Sequence, residues 1–154
     1  MNIALESPNQ PDVVALIGEL DAYQDSLYPP EARYALDLAA LCRPNVAFAV
    51  ARDASGAAMG CGAVVLGPDH GEVKRMYVRP TARGHGVAQR LLQMLEGAAR
   101  AQGCRELLLE TGPYQPEALA FYARQGFERR GPFAGYPDHP LSVFMGKALD
   151  MAPR

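Results

Sequence analysis

A strand, a glycine-bearing turn and a helix follow one another between residues 72 and 92, in the segment EVKRMYVRPTARGHGVAQRLL. The strand pattern ends at Val78, Pro80 interrupts it, and the helix after Gly86 carries its apolar residues on one face: Val87, Leu91 and Leu95. Because Gly84 and Gly86 lack a Cβ, the backbone of the turn can adopt positive φ and a ligand can approach closely. The first amides of a helix have no internal acceptor and lie at the positive end of its dipole. The segment therefore predicts a site for a phosphate or a diphosphate.

Two common phosphate-binding loops do not fit this turn. A Walker A loop needs a Lys-Ser/Thr pair after its last glycine, and here Gly86 is followed by Val87 and Ala88. A Rossmann fingerprint needs a third glycine or alanine at the position of Gln89, and it usually follows the first strand of its domain. The pattern that remains is Arg83-x-x-Gly86-x-Ala88.

This pattern resembles the acetyl-coenzyme A loop of the GNAT superfamily of N-acetyltransferases, whose motif is Arg/Gln-x-x-Gly-x-Gly/Ala. The sequences around it are similar to that superfamily as well: VKRMYVRP before the loop, the apolar helix after it, and LLLETG and AFYARQGF further along. The resemblance covers residues 2–149, and its specific motifs lie within residues 72–127. LETG-x-x-QPEA and the segment 142–145 are similar to a bacterial subgroup of the superfamily.

The order of the elements predicts a mixed α/β sheet. Strands are predicted at residues 3–5, 46–52, 57–66, 72–78 and 104–110, from residue 127, and at 141–147. Helices are predicted at residues 9–28, 31–42, 87–103 and 115–125. The second helix is expected to bury Tyr34, Leu38 and Leu41. The resemblance implies a GNAT fold in a single N-acetyltransferase domain over residues 1–154: a mixed, mostly antiparallel sheet of six to seven strands, flanked by about four helices.

Two places in the central strands depart from the expected pattern. Gly60 and Gly62 lie inside a predicted strand, where they indicate a bulge or the close approach of another group. Lys74 and Arg75 interrupt the apolar pattern of the strand before the turn, an inconsistency that functional sites often produce. These two cations either serve a site or form salt bridges at the surface.

The composition limits which cellular compartment and which binding partners can be expected. The 154 residues fit one domain, and 49% hydrophobic residues allow a buried core. A net charge of −2 without a lysine-rich block argues against nucleic acid as a partner. Because no signal-peptide pattern or apolar run of ~20 residues is visible, we expect a cytoplasmic protein that does not bind membranes. Cys42, Cys61 and Cys104 lack the spacing of a zinc site and are predicted to be buried apolar residues, so no metal is expected.

The resemblance assigns acetyl-coenzyme A (acetyl-CoA) to the strand and the turn. The expected cofactor-binding residues are Met76, Tyr77 and Val78 for the pantetheine arm, Arg83, Gly84, His85, Gly86, Val87 and Ala88 for the diphosphate, and Gln115. Arg79 and Arg90 either add contacts to phosphates or lie on a solvated surface. At Gln115 many relatives carry an asparagine that bonds the pantetheine, so the sequence departs from the family pattern there.

Acetyl transfer to an amine needs a proton for the departing thiolate and a base for the amine. By resemblance, Tyr122 occupies the position of a tyrosine beside the coenzyme sulfur; it either donates that proton or packs as a core tyrosine. Glu72 opens the central strand, where relatives often place a glutamate that deprotonates the amine. Glu110 ends the neighbouring leucine-rich strand. Apolar walls can raise the pKa of a carboxyl group toward neutrality, so each glutamate is either the base or an ordinary carboxylate.

The resemblance also places the acceptor pocket between two loops, where specificity usually resides. The expected substrate-binding residues are Tyr28, Glu110, Phe133 and Tyr136. The aromatic residues among them pack against the acceptor, form a lid or make a dimer contact.

Together these features predict an N-acetyltransferase that moves acetyl from acetyl-CoA to a primary amine of a small metabolite, an amino acid or an amine-like compound. Direct attack in a ternary complex is expected, because no cysteine lies in a recognisable nucleophile setting. The alternatives are a protein lysine or N-terminal acetyltransferase and a non-catalytic module that binds acyl-CoA. The expected partners are a small-molecule amine and, at the level of the family, a second copy of the chain in a homodimer.

Overall fold

The computed structural model describes residues 1–34 and 36–150; Ala35, part of the predicted helix over residues 31–42, lies outside the described residues. The described chain forms seven strands: β1 (Asn2–Leu5), β2 (Val46–Arg52), β3 (Ala58–Leu66), β4 (His70–Val78), β5 (Glu106–Thr111), β6 (Glu128–Arg130) and β7 (Val143–Ala148). Its helices are α1 (Pro11–Leu27), α2 (Leu38–Leu41), α3 (Val87–Ala101) and α4 (Pro116–Arg124), with 3-10 turns at Pro30–Ala32 and Pro80–Ala82. None of the described helices is long and apolar enough to cross a membrane.

The strands form one sheet in the order β1-β2-β3-β4-β5-β7-β6. Neighbouring strands are antiparallel except β4 and β5, which run parallel and pair only at His70–Glu106, Gly71–Leu107 and Glu72–Leu108. Beyond Glu72 the two strands separate, so β4 has no paired strand on that side from Val73 to Val78. The predicted mixed, mostly antiparallel sheet is confirmed, and the separation opens a gap in its middle.

Helices cover both faces of the sheet because side chains along β2 and β3 alternate between them. Phe48 and Val50 pack in the cluster that buries the apolar face of α1: Val13, Leu16 and Ile17. Ala49 and Ala51 belong to the opposite cluster, which buries α3 along Leu91, Leu92 and Leu95. Tyr122 of α4 joins this second cluster. The core therefore holds α1 against one face of the sheet and α3 and α4 against the other, and the gap between β4 and β5 lies between these two layers.

The predicted helix over residues 31–42 is wrong. Arg33, directly after the 3-10 turn, is extended, and α2 begins only at Leu38. Asp37 is itself extended, and its Oδ1 accepts a backbone amide of α2 at 2.8 Å, so this short polar side chain starts a separate helix. Leu41 is buried as predicted, but Leu38 is exposed and Tyr34 is half-buried. Because these residues do not lie on one continuous helix, Tyr34, Leu38 and Leu41 do not form the expected buried stripe.

A bulge in β4 accommodates the two departures from the expected strand pattern, namely the glycines in β3 and the cations in β4. The register between β3 and β4 shifts between Cys61 and Ala63, so that Arg75 and Met76 together lie opposite Gly62. Arg75 has a φ of 61°, a left-handed conformation that residues with a Cβ rarely adopt. A Cβ on Gly62 would lie 2.3 Å from Met76 Sδ, so glycine is required for this contact. The close approach predicted at Gly62 is confirmed.

Candidate functional site

Two adjoining cavities open where β4 and β5 separate. The larger, of about 700 Å³, is the loop cleft; its lining includes Met76, Tyr77, Val78, Arg83, Gly84, Gly86, Val87 and Ala88. The smaller, of about 110 Å³, is the inner pocket; its lining includes Tyr28, Arg33, Tyr34, Lys74, Arg75, Glu110 and Thr111. The residues that line both are Leu20, Met76, Gln115, Ala118 and Tyr122. The two cavities therefore meet at the bulge of β4 and the first turns of α4.

The glycine turn presents free backbone amides to the loop cleft. Gly84 and Gly86 have φ values of 84° and 73°, which glycine adopts without strain. Gly86 precedes α3 and has no side chain to cap it, so the first amides of that helix remain available to a ligand. Arg83 Nε donates a hydrogen bond to the carbonyl oxygen of Val78 at 3.0 Å, which fixes its guanidinium at the cleft. The turn thus supplies the donors and the positive end of a helix dipole that a diphosphate needs.

The other cations and the histidine near the turn lie elsewhere. Arg79 Nη2 forms an ion pair with Glu19 at 2.7 Å, and its Nη1 donates to the carbonyl oxygen of Ala58 at 3.0 Å. Arg90 and His85 are exposed and do not belong to the lining of the loop cleft. Among these residues and Arg83, only Arg83 has its side chain placed at the cleft.

Tyr122 stands at the junction of the two cavities. Its ring packs edge-on between Phe121 and Phe127, with centroid distances of 5.3 and 5.4 Å. The side chain is buried, and its hydroxyl makes no hydrogen bond with any described residue. Burial raises the pKa of this hydroxyl well above its ordinary value of 10, so it keeps its proton at neutral pH. Tyr122 can therefore donate a proton to a group bound at the junction.

Glu110, at the end of β5, is the carboxyl group in the lining of the inner pocket. Burial raises its pKa from 4.5 to about 7, and the nearby Ser142 and Lys74 oppose this rise. Burial outweighs these opposing effects. A carboxyl group with a pKa near 7 can exchange a proton with a ligand at neutral pH.

Glu72 lies outside the lining of the inner pocket and is held in a network of hydrogen bonds. The Tyr136 hydroxyl donates to Glu72 Oε2 at 2.5 Å, and Lys74 Nζ lies 3.2 Å from the same oxygen. Lys74 Nζ also donates to Tyr136 Oη at 2.8 Å and to the carbonyl oxygen of Tyr34 at 3.0 Å. Lys74 thereby makes two hydrogen bonds, and its charge balances that of Glu72.

Of the three aromatic residues expected to bind the acceptor, the structure brings only Tyr28 to the wall of the inner pocket. The Tyr28 ring stacks on Tyr114 at 5.4 Å, and its hydroxyl accepts the Tyr114 amide at 3.0 Å. Phe133 and Tyr136 pack against each other at 5.2 Å, outside the pocket lining. Tyr136 instead forms hydrogen bonds with Glu72 and Lys74.

A comparison with protein families matches residues 15–127 to the acetyltransferase (GNAT) family. This span contains β4, the glycine turn, α3 and the residues at the junction of the cavities. The chain belongs to the GNAT family. The predicted family is confirmed.

Known proteins similar to this GNAT chain agree on acyl transfer. An "IAA acetyltransferase" of Azospirillum brasilense is 52% identical over 151 residues, which cover 97% of this chain and 98% of that protein. The uncharacterized N-acetyltransferase YsnE of Bacillus subtilis (strain 168) is 36% identical over 153 residues, covering 97% of this chain and 100% of YsnE. The chain is an acetyl-CoA-dependent N-acyltransferase.

Solved structures confirm the GNAT fold. A protein assigned as an acyl-CoA N-acyltransferase from Klebsiella pneumoniae superposes with a TM-score of 0.82 at 39% identity, over 97% of each chain. An aminoglycoside 6'-N-acetyltransferase complexed with coenzyme A superposes with a TM-score of 0.75 at 17% identity, over 100% of each chain. At that identity the second likeness concerns the fold alone.

Two arginines of the inner pocket give it much of its positive charge. Arg75 Nη1 donates to Asp21, and Arg33 Nη2 lies 3.0 Å from the same carboxylate. The sequence marked Arg75 only as an interruption of a strand, together with Lys74. Nothing in the sequence marked Arg33, because its place depends on how the segment after α1 folds back over the gap in the sheet.

Proposed function

We propose that this GNAT protein transfers the acetyl group of acetyl-CoA to a primary amine of a small molecule, by direct attack in a ternary complex. The observation that carries the proposal is the meeting of the two cavities at Tyr122, with Glu110 in the inner pocket. One cavity has the features of a coenzyme site, and the other holds a carboxyl group whose pKa lies near 7.

Acetyl-CoA is proposed to bind in the loop cleft. The amides of residues 84–88 and the Arg83 guanidinium bind the diphosphate, because they are free donors at a helix start. The pantetheine arm runs beside Met76, Tyr77 and Val78, whose strand edge is unpaired once β5 has turned away. Gln115, at the N-terminal end of α4, lines both cavities and offers a polar side chain to the same arm. This arrangement brings the thioester to the junction.

The amine enters the inner pocket, where Glu110 accepts its proton. The neutral nitrogen then attacks the thioester carbonyl, and the C–S bond breaks as the tetrahedral intermediate collapses. The departing thiolate takes the proton of the Tyr122 hydroxyl, which burial keeps protonated. The second proton of the attacking nitrogen passes to Tyr122 Oη, and Glu110 releases its proton to water, so both residues return to their starting states. We propose Glu110 rather than Glu72 as the base, since Glu72 lies outside the pocket lining and is bound to Tyr136 and Lys74.

Direct attack is proposed because the cysteine near the bulge is a poor nucleophile. Cys61 is fully buried, and burial raises the pKa of its thiol to about 12. Its Sγ donates a hydrogen bond to the carbonyl oxygen of Arg75 at 3.3 Å. An acetyl-enzyme on this residue would need a thiolate that the site disfavours.

A compact acceptor is proposed because the inner pocket, at about 110 Å³, is small beside the ~300–1,000 Å³ of pockets for drug-sized ligands. Protein lysines and N-termini remain acceptors to be compared directly with small amines. The name of the A. brasilense relative adds IAA to the compounds worth testing.

The test is a thiol-release assay with acetyl-CoA across small amines, lysine-containing peptides and IAA, with each acetylated product verified by mass spectrometry. We expect release of free coenzyme A with small amines and formation of the corresponding N-acetyl compounds. Tight binding of acetyl-CoA without turnover on any small amine, or turnover confined to peptides, would refute the proposal.

A further inference from the structure

The inner pocket contains a buried cation with an unused hydrogen-bond donor. The Arg75 side chain is 7% exposed and belongs to the pocket lining. Its Nη1 donates to Asp21, and its Nη2 donates to the carbonyl oxygen of Leu36 at 2.9 Å. Its Nε is buried and has no hydrogen-bond partner among residues 1–34 and 36–150. Because an unpaired buried donor is unfavourable, an unpaired Nε on a residue of the pocket lining indicates a ligand with acceptor atoms.

The backbone holds Arg75 in a conformation that is itself unfavourable. Its φ of 61° places a non-glycine residue in the left-handed region, in the middle of a strand. The carbonyl oxygen of the same residue accepts the hydrogen bond from Cys61, which helps to fix the bulge. Bulges beside active sites often redirect a side chain, and strained residues of this kind cluster at ligand sites. The strain thus points to the same residue as the unpaired donor.

The described lining of the inner pocket holds more cations than carboxyl groups. Arg33, 14% exposed, lines the pocket beside Arg75, and both bind Asp21. The carboxylates that pair with these arginines lie toward solvent: Asp21 is 37% exposed and Asp25 68%. The guanidinium groups are thereby the buried ends of their ion pairs. Among the described residues of the lining, Glu110 is the sole carboxyl group.

We propose that the acceptor is an amino acid, a compact amine whose own carboxylate binds the Nε edge of Arg75 beside Arg33 while its amino group faces Glu110. An arginine can bind a carboxylate through two parallel hydrogen bonds, here from the unpaired Nε of Arg75 and from the second hydrogen of Nη2, whose other hydrogen is donated to Leu36. The carboxylate then satisfies the unpaired Nε and fixes the position of the amine. This inference rests on the proposed acetyl transfer to a small amine.

The experiment compares amino acids with their carboxamides, which keep the amine and lose the negative charge. The pairs are glycine and glycinamide, alanine and alaninamide, and β-alanine and β-alaninamide. We expect kcat/KM to be about 10- to 100-fold higher for the acid of at least one pair, the loss typical of a charged hydrogen-bond partner left unpaired. Since the amine of an α-carboxamide gives up its proton more readily, a preference for the acid reports on the carboxylate.

Variants of Arg75 test whether this residue causes the preference for the acid over its carboxamide. Arg75→Gln should remove the preference by lowering kcat/KM for the acid and not for the carboxamide, with the Kd of acetyl-CoA unchanged. Arg75→Lys keeps the charge without the planar pair of donors and should recover only part of the preference. Arg43→Gln, at an exposed arginine outside the pocket, is the matched control and should keep it fully. If Arg75→Gln does not fold, the comparison of acid and carboxamide in the unaltered protein decides.

Calorimetric titration of the same compounds into the complex with coenzyme A separates the two proposals. Turnover of amines with no preference for acids, or equal binding of acids and carboxamides, overturns the amino-acid inference and leaves acetyl transfer standing. Tighter binding of acids without thiol release on any amine overturns the proposed function and leaves the carboxylate site standing.

Discussion

Replacing Glu110 by glutamine should stabilise the protein at alkaline pH while it removes the proposed base. The pKa of Glu110 is raised from 4.5 to about 7, so the folded protein binds a proton that the unfolded chain releases between these values. Stability from this group is fully present below pH 4.5 and is lost as the pH rises through 7. The shift corresponds to about 3 kcal/mol, and water reaching the half-buried carboxyl group reduces this to about 2 kcal/mol.

The assay is chemical denaturation of the unaltered protein and Glu110→Gln at pH 5 and pH 8. The free energy of unfolding of the variant, relative to the unaltered protein, should rise by about 2 kcal/mol between these pH values, a gain of roughly 4–8 °C in Tm at pH 8. Glu128→Gln, on the exposed edge strand β6, controls for the loss of one negative charge. A constant difference between Glu110→Gln and the unaltered protein at both pH values would refute a carboxyl group with a raised pKa.

The remaining predictions concern the coenzyme and the acceptor separately. Tyr122→Phe should lower kcat by about 100-fold with an unchanged Kd for acetyl-CoA, because only the donated proton is lost; an unchanged kcat would mean that Tyr122 is a core residue. Gly86→Ala and Gly56→Ala both place a Cβ at positive φ in open space, so each should cost about 1 kcal/mol of stability. Only Gly86→Ala should weaken the binding of acetyl-CoA, as measured by calorimetry. If both variants bind acetyl-CoA with the same affinity, the turn is not the diphosphate site. Gly112→Ala puts a Cβ 1.9 Å from Tyr28 Oη, so it should raise the KM of the amine and leave the Kd of acetyl-CoA unchanged; the reverse pattern would contradict the division between the two cavities.

The parts of the fold that could be predicted are those determined by local sequence. The strand, turn and helix around Gly84 and Gly86 follow from backbone chemistry within a few residues, and the structure gives both glycines the expected positive φ. The close approach at Gly62 was visible for the same reason. The helix over residues 31–42 failed because Asp37 caps a later and shorter helix, a competition that periodicity alone does not reveal.

The choice between the two glutamates depends on contacts that no local pattern contains. Tyr136, which binds Glu72, lies 64 residues away in the sequence. Glu110 reaches the inner pocket because β5 leaves β4 after Glu72, a feature of strand pairing rather than of composition. Arg33 was missed for a similar reason, since its ion pair with Asp21 depends on how the segment after α1 folds back onto that helix. Sequence could name the candidates, but tertiary structure was needed to separate them.

The most direct measurement is a crystal structure of the protein with bound acetyl-CoA. We predict that the diphosphate will lie on the amides of residues 84–88 and that the sulfur will lie within hydrogen-bonding distance of Tyr122 Oη, with the acetyl carbon facing the inner pocket and Glu110. A coenzyme bound away from the glycine turn, or a thioester directed away from the junction of the two cavities, would contradict the proposed reaction.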